Sequence, residues 1–126
     1  MIDNYGGPER FYGDFYISSV SPLGFTSVGK KGKEVNYNYY DSKQLTAAIK
    51  DFAVLSLKQQ LAFGIKRDVC FCLGTGKNFK YITRLNGELG FFKEIVPLEH
   101  PRFIMQYKSG EKDSYIHRYI EKFQSV

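Results

Sequence analysis

The chain has 126 residues, 43% of them apolar and 17% aromatic, with 10 Tyr, 11 Phe and no Trp. That is one domain's length, enough for a core without a disulfide or metal staple, and too aromatic for a disordered chain. The net charge of +5 is moderate, and no apolar run reaches the ~18 residues of a membrane helix.

Met1-Ile2-Asp3-Asn4-Tyr5 lacks the basic start and apolar stretch of a signal peptide. Gly6-Gly7-Pro8 predicts a turn, with Pro8 opening a short helix through Arg10, Phe11 and Tyr12. Phe15-Tyr16-Ile17-Ser18-Ser19-Val20 has the aromatic and β-branched content of a strand, ended by Ser21-Pro22-Leu23-Gly24. Residues 26–41 read as a long polar loop with Gly29, Gly32 and three lysines. Asp41 and Gln44 have capping-box spacing, and Leu45, Ala48, Ile49 and Phe52 repeat at helical spacing. That helix is expected to run to Phe63 and stop at Gly64.

Val69-Cys70-Phe71-Cys72-Leu73 is continuously apolar, as in a strand buried on both faces of a parallel sheet. Cys70 and Cys72 share one face of it and read as small buried hydrophobes, reduced as in a cytoplasmic protein. Gly74-Thr75-Gly76 turns into a helix carrying Phe79, Ile82 and Leu85, which ends near Gly90. Lys93-Glu94-Ile95-Val96-Pro97 predicts another strand, followed by a loop over residues 99–109. A last helix carries Tyr115 or Ile116, then Tyr119, Ile120 and Phe123 on one face. Alternating helices and strands predict α/β layers around a parallel sheet. Such sheets bind ligands beyond the carboxyl ends of their strands. Three loops then qualify: residues 18–25, 74–78 and 99–107.

Most of the charge imbalance lies in residues 66–84, where Lys66, Arg67, Lys77, Lys80 and Arg84 face only Asp68. This is either a solvated face or a phosphate-facing patch. Gly74-Thr75-Gly76-Lys77-Asn78 is not a P-loop, since that motif needs Gly at 71 and Ser or Thr at 78. The two glycines and Lys77 still offer a helix start to an anion. His100-Pro101-Arg102 follows a strand directly, where an α/β sheet presents its chemistry. Its continuation, Phe103-Ile104-Met105-Gln106-Tyr107, is apolar enough either to enter a base stack or to pack into the core. His117 falls off the apolar stripe of the last helix and reads as exposed and inert. Two His and two Cys leave an ordinary transition-metal site short of ligands, and no cofactor is expected.

Two segments together resemble a known family. Val20-Ser21-Pro22-Leu23-Gly24-Phe25 is similar to the Cys-Pro-Leu-Ala-Phe segment of single-strand-selective uracil-DNA glycosylases. Leu98-Glu99-His100-Pro101-Arg102 resembles the His-Pro-Ser-Pro-Arg loop after the last strand of that superfamily, and Cys72-Leu73-Gly74-Thr75-Gly76 its Val-Gly-Val-Gly strand and turn. The resemblance runs from Phe15 to Gln124. It implies a three-layer α/β/α sandwich with a short parallel sheet, and base excision by N-glycosidic hydrolysis of uracil or a related damaged base. The partner it implies is DNA, single-stranded or damaged, with no membrane.

By the same resemblance, His100 donates to a uracil oxygen as negative charge develops there. Ser19, Pro22 and Phe25 would bind the base. Gly74, Gly76, Lys77, Lys80, Pro101 and Arg102 would contact DNA, with Phe103 or a close neighbour as the wedge. The chain departs from the family twice. Ser19 stands where the family has an Asn that reads the uracil edge, and a hydroxyl makes only part of that paired contact. No Gly-rich motif with a water-positioning Asp or Asn precedes Phe15. In the family's 2-1-3-4 sheet that motif ends the central first strand, so three of four strands are expected here. Residues 1–126 then read as one incomplete, N-terminally truncated domain, inactive or weak alone. Either strands 15–20 and 69–73 pair directly, or a complementing N-terminal segment is needed. The alternative is a non-catalytic nucleic-acid-binding or interaction domain on the same scaffold.

Overall fold

The computed structural model describes residues 1–21 and 23–126. Its elements in order are α1 (Ile2–Tyr5), α2 (Pro8–Asp14), β1 (Phe25–Val28), β2 (Glu34–Tyr37), a 3-10 turn (Tyr39–Asp41), α3 (Lys43–Leu61), β3 (Val69–Leu73), α4 (Lys77–Leu89), β4 (Glu94–Leu98), α5 (Pro101–Tyr107), a second 3-10 turn (Ser109–Glu111) and α6 (Lys112–Gln124). The chain divides into two compact units, Met1–Ile17 with Arg67–Val126, and Ser18–Lys66.

The first unit is built on β3 and β4, which pair in parallel with Val69 opposite Glu94 and Leu73 opposite Leu98. Parallel strands need a crossover, and α4 supplies it. Its Tyr81, Ile82 and Leu85 recur at helical spacing and are buried. Gly90 ends α4 in the left-handed region at φ 64°, where the missing Cβ removes the steric cost. Two latches set the following turn. Asn86 exchanges both side-chain hydrogen bonds with the Phe92 backbone, and the Arg67 guanidinium donates to the Phe91 and Gly90 carbonyls.

Successive strand residues point to opposite faces, so Phe71 and its neighbour Cys72 serve different layers. The Phe71 ring meets Phe15 and Phe123, 6.1 and 5.0 Å between centroids, on the side of α2 and α6. The Cys72 thiol takes a weak hydrogen bond from Asn78 of α4. Helices therefore lie on both faces of the short parallel sheet, giving the expected α/β/α layers. Tyr5, Phe11, Leu98, Ile104, Tyr115, Tyr119 and Phe123 form the core on the α6 face. Its rings meet mostly edge-on or tilted, as the aromatic quadrupole favours.

The second unit holds an antiparallel hairpin, β1 with β2, Phe25 opposite Tyr37 and Val28 opposite Glu34, and the long helix α3. The α3 cap is Ser42, whose hydroxyl accepts from Leu45 N–H. This is one residue later than the spacing of Asp41 and Gln44 predicts. Asp41 instead closes a capping box on the preceding 3-10 turn with Asn38.

Three sequence expectations are corrected. Residues 15–20 form no strand among the described residues, so the parallel sheet has two strands rather than three. The backbone at Phe15 is extended, φ −123° and ψ 140°, but it has no ladder neighbour, and direct pairing with β3 does not occur. Residues 26–41 are a hairpin and a 3-10 turn, not an irregular loop. The loop over 99–109 contains α5, because Pro101 at its first turn suits helical φ and His100 caps it.

Phe123 touches five other rings across α1, α2, β3 and α6. Phe123→Ala is expected to cost ~3–5 kcal/mol in urea denaturation, whereas exposed Tyr12→Ala changes stability little. Equal destabilisation by both would show that the aromatic core is not the main support.

Candidate functional site

The register of β3 on β4 decides the geometry. Leu73 and Leu98 end the two strands side by side, and the Gly74 N–H donates to the Leu98 carbonyl at 2.7 Å. The two chain segments that leave the sheet therefore start from one place. One leads through Gly74 and Gly76 into α4 at Lys77, the other through Glu99 and His100 into α5 at Pro101. Gly74 sits at φ 132°, a conformation that side-chain-bearing residues rarely adopt.

His100 is exposed and caps α5, its Nδ1 accepting the Arg102 backbone N–H at 3.0 Å. An acceptor nitrogen carries no proton, so the neutral ring bears its proton on Nε2. The cap leaves Nε2–H as a donor beyond the strand ends. The Glu99 carbonyl just before it is tied down by the Tyr119 hydroxyl. Burial, then the Glu99 charge, push Tyr119 up to about 12, so it remains a neutral donor.

Along α5, Ile104 is buried while Phe103, Met105 and Tyr107 are exposed. Phe103 and Tyr107, four apart, pair their rings at 5.5 Å on the outer face. The apolar run thus divides: Ile104 packs into the core, and Phe103 faces outward beside exposed Arg102. α4 begins at Gly76 with no side-chain cap, and Lys77 and Lys80 are exposed on its first turn.

Gly74, Gly76, Lys77, Lys80, His100, Pro101, Arg102 and Phe103 are therefore brought together around one end of the sheet. Arg67, Asp68 and Arg84 of the 66–84 stretch make other contacts. Arg67 holds the Gly90 and Phe91 carbonyls, Asp68 pairs with Lys93 at 2.6 Å, and Arg84 lies over the Tyr81 ring.

Ser19 and Phe25 belong to the second unit. Ser19 is exposed, and its hydroxyl donates to the Ser21 carbonyl at 2.8 Å. Phe25 is the first residue of β1, not part of a loop. Pro22 lies outside the described residues. Asn78, which holds Cys72, is not evident from sequence, because a polar residue one place into a helix gives no signal for a thiol partner. The hairpin lysines Lys30, Lys31 and Lys33 are equally inconspicuous. Gly29 and Gly32 between Thr26-Ser27-Val28 and Val35 are the available hairpin signal.

Cys70 and Cys72 are free thiols. Burial, then the neighbouring Cys72, push Cys70 up to about 11, and burial also raises Cys72. His117 is exposed and pairs with Glu121 one helical turn away. No group of three or more His, Cys, Asp or Glu is placed to hold a metal ion among the described residues. No helix there is long and apolar enough to cross a membrane.

The Uracil DNA glycosylase superfamily model matches residues 3–124. The fold is similar to the crystal structure of wild-type Pedobacter heparinus SMUG2, with a TM-score of 0.94 and 56% sequence identity. The match covers 98% of this chain and 53% of that one, so this chain spans about half the length of its structural relative. No curated protein matches.

Two measurements check this geometry. His100→Ala removes the α5 cap and is expected to cost about 1 kcal/mol, while His100→Asn, which can still accept, keeps most of it. Equal destabilisation by both would show that the cap is not made. At pH 8 the Cys70 thiolate is expected at about one part in a thousand, so native-state alkylation is slow and rises about tenfold per pH unit toward pH 11. Because the folded thiol holds its proton more tightly, its stability contribution is present below pH 9 and lost as pH rises through about 11. Fast labelling of Cys70 at pH 8 would refute its burial.

Proposed function

The chain belongs to the uracil-DNA glycosylase superfamily, and on that premise we propose that it is the leaving-base and phosphate-contacting part of an enzyme that hydrolyses the N-glycosidic bond of uracil or a related damaged base in DNA. The observation that carries this reading is the His100 cap. With Nδ1 engaged by the Arg102 N–H, the neutral imidazole offers Nε2–H to an oxygen gaining negative charge. A donor already in place stabilises the departing base without reorganising at the moment of bond cleavage. Pro101 fixes the start of α5, Arg102, Lys77 and Lys80 contact phosphates, and outward-facing Phe103 fills the gap left by a flipped nucleotide. Flipping costs least where the base is unpaired, which favours single-stranded or damaged DNA. By the family resemblance, Ser19, Pro22 and Phe25 are the candidates for contact with the base, and a serine hydroxyl makes fewer contacts to its edge than an Asn amide would.

Residues 1–126 act as one incomplete domain in this reading, in the cytoplasm, and a further strand completes the sheet. Backbone directions support that strand. The Glu94 N–H donates to Asp68 and the Gly74 N–H to Leu98, so the backbone groups of Val69, Phe71 and Leu73 face the other edge of β3. No strand pairs there among the described residues. The outer edge of β4 is closed to addition, since Pro97 offers no N–H and its carbonyl accepts from Lys122. A parallel strand on β3 would end beside Gly74 and His100, where a water-positioning Asn or Asp is needed. Asp14, the last residue of α2, is engaged elsewhere, accepting the Tyr5 hydroxyl at 2.7 Å.

The test is uracil release from a single-stranded oligonucleotide. The chain by itself is expected to bind this DNA and release no uracil above background. Turnover that falls about a hundredfold or more in His100→Ala would overturn inactivity while supporting the role of His100. Turnover unchanged in His100→Ala would overturn that role. Binding with no turnover, even with a synthetic complementing strand, would favour a non-catalytic DNA-binding domain. No binding at low salt would favour an interaction module.

A further inference from the structure

We propose that the tip of the β1–β2 hairpin is a second DNA contact, a phosphate-binding prong carried by Lys30, Lys31 and Lys33. The proposal rests on DNA being the partner, and it concerns a unit of the chain other than the one that holds His100. Gly29 N–H donates to the Lys33 carbonyl at 2.7 Å and Gly32 N–H to the Gly29 carbonyl at 3.0 Å. Gly32 takes φ 72°, the left-handed position that closes a short hairpin turn. These bonds hold three lysines within four residues at one tip, all exposed. None makes an ion pair among the described residues, and Glu34 is the nearest carboxylate in sequence.

If it meets only water, this arrangement leaves like charges close together with nothing to neutralise them. A two-stranded ribbon is marginally stable in itself, and three like charges at its end repel one another. Val28 and Val35 beside the tip are 77% and 46% exposed, so little apolar burial offsets the repulsion. A polyanion reverses the sign of that effect. DNA phosphates lie close enough along a strand for neighbouring lysines to contact more than one, and each contact releases condensed counterions. Such contacts fix register on the backbone and carry no base specificity. They suit a hairpin tip that offers charge and no side chain shaped to read a base.

The experiment is fluorescence anisotropy of a labelled uracil-containing DNA, single-stranded and duplex, with the full chain between low and moderate salt. Lys30→Gln, Lys31→Gln and Lys33→Gln are combined. A charge-matched control combines Lys43→Gln, Lys58→Gln and Lys112→Gln, all exposed. The hairpin triple is expected to bind at least tenfold more weakly at low salt. Its salt slope should fall by roughly 2, at ~0.7–0.9 for each phosphate that is no longer neutralised. The control should change both much less. In the wild-type chain, saturating DNA should slow acetylation of the three hairpin lysines, a readout that needs no variant to fold. Equal weakening in both triples, an unchanged salt slope, or lysines equally reactive with and without DNA would each overturn the prong. So would self-association of the hairpin triple at unchanged DNA affinity, which would make these lysines guards of a sheet edge. A wild-type chain that binds no DNA would overturn the underlying partner, a different failure from a wild-type chain that binds normally and ignores the hairpin.

Discussion

One backbone hydrogen bond closes the end of the parallel sheet that holds the candidate site, from Gly74 N–H to the Leu98 carbonyl. It is the last rung of the β3–β4 ladder, and it exists because Leu73 and Leu98 stand opposite each other. A slip of one residue would turn every β3 side chain to the other face. Phe71 would leave the ring cluster around Phe123, and Cys72 would leave Asn78. The same slip would separate the two turns that lead into α4 and α5. Core packing and the candidate site thus depend on one register, and the Asn86 and Arg67 latches on the turn before β4 help to set it.

The two edges of this short sheet are unequal, and that inequality organises the functional reading. Pro97 and Lys122 close the outer edge of β4, whereas β3 is apolar throughout and pairs with no described strand on its far side. Native sheets guard exposed edges with charge, proline or bulges. The described part of β3 has none of these. The chain spans about half the length of its structural relative. The basic residues also divide their labour. Arg67 and Lys122 hold backbone carbonyls and Lys93 pairs with Asp68, while Lys80 and Arg102 stay exposed at the strand ends.

Several features were legible because their signals are local. The apolar run 69–73 is a strand because it sits between charge and glycine. The helix after it stops at Gly90 because only glycine takes that φ cheaply. His100-Pro101 after a strand marked the segment that caps and opens a helix at the end of β4. Residues 15–20 misled because β-branched and aromatic content measures fitness for a half-buried pleat, not the presence of a neighbour. The hairpin was hidden by its lysines, which made residues 26–41 resemble solvent-exposed loop. The helix α5 was hidden because its apolar residues do not keep to one face: Ile104 is buried and Phe103 and Met105 are not.

The sequence by itself determined the family resemblance, the α/β layering and the loops that are candidates for the chemistry, since each rests on residue types at fixed spacing. Only the tertiary structure decided which of those residues lie together. It joined residues 74–80 to residues 100–103 through a strand register, assigned the His100 proton to Nε2 through a cap, and withdrew Arg67 from the basic patch. It also left residues 15–20 outside any strand. Each of these is a contact between residues distant in sequence, or a hydrogen bond whose second partner no periodicity names.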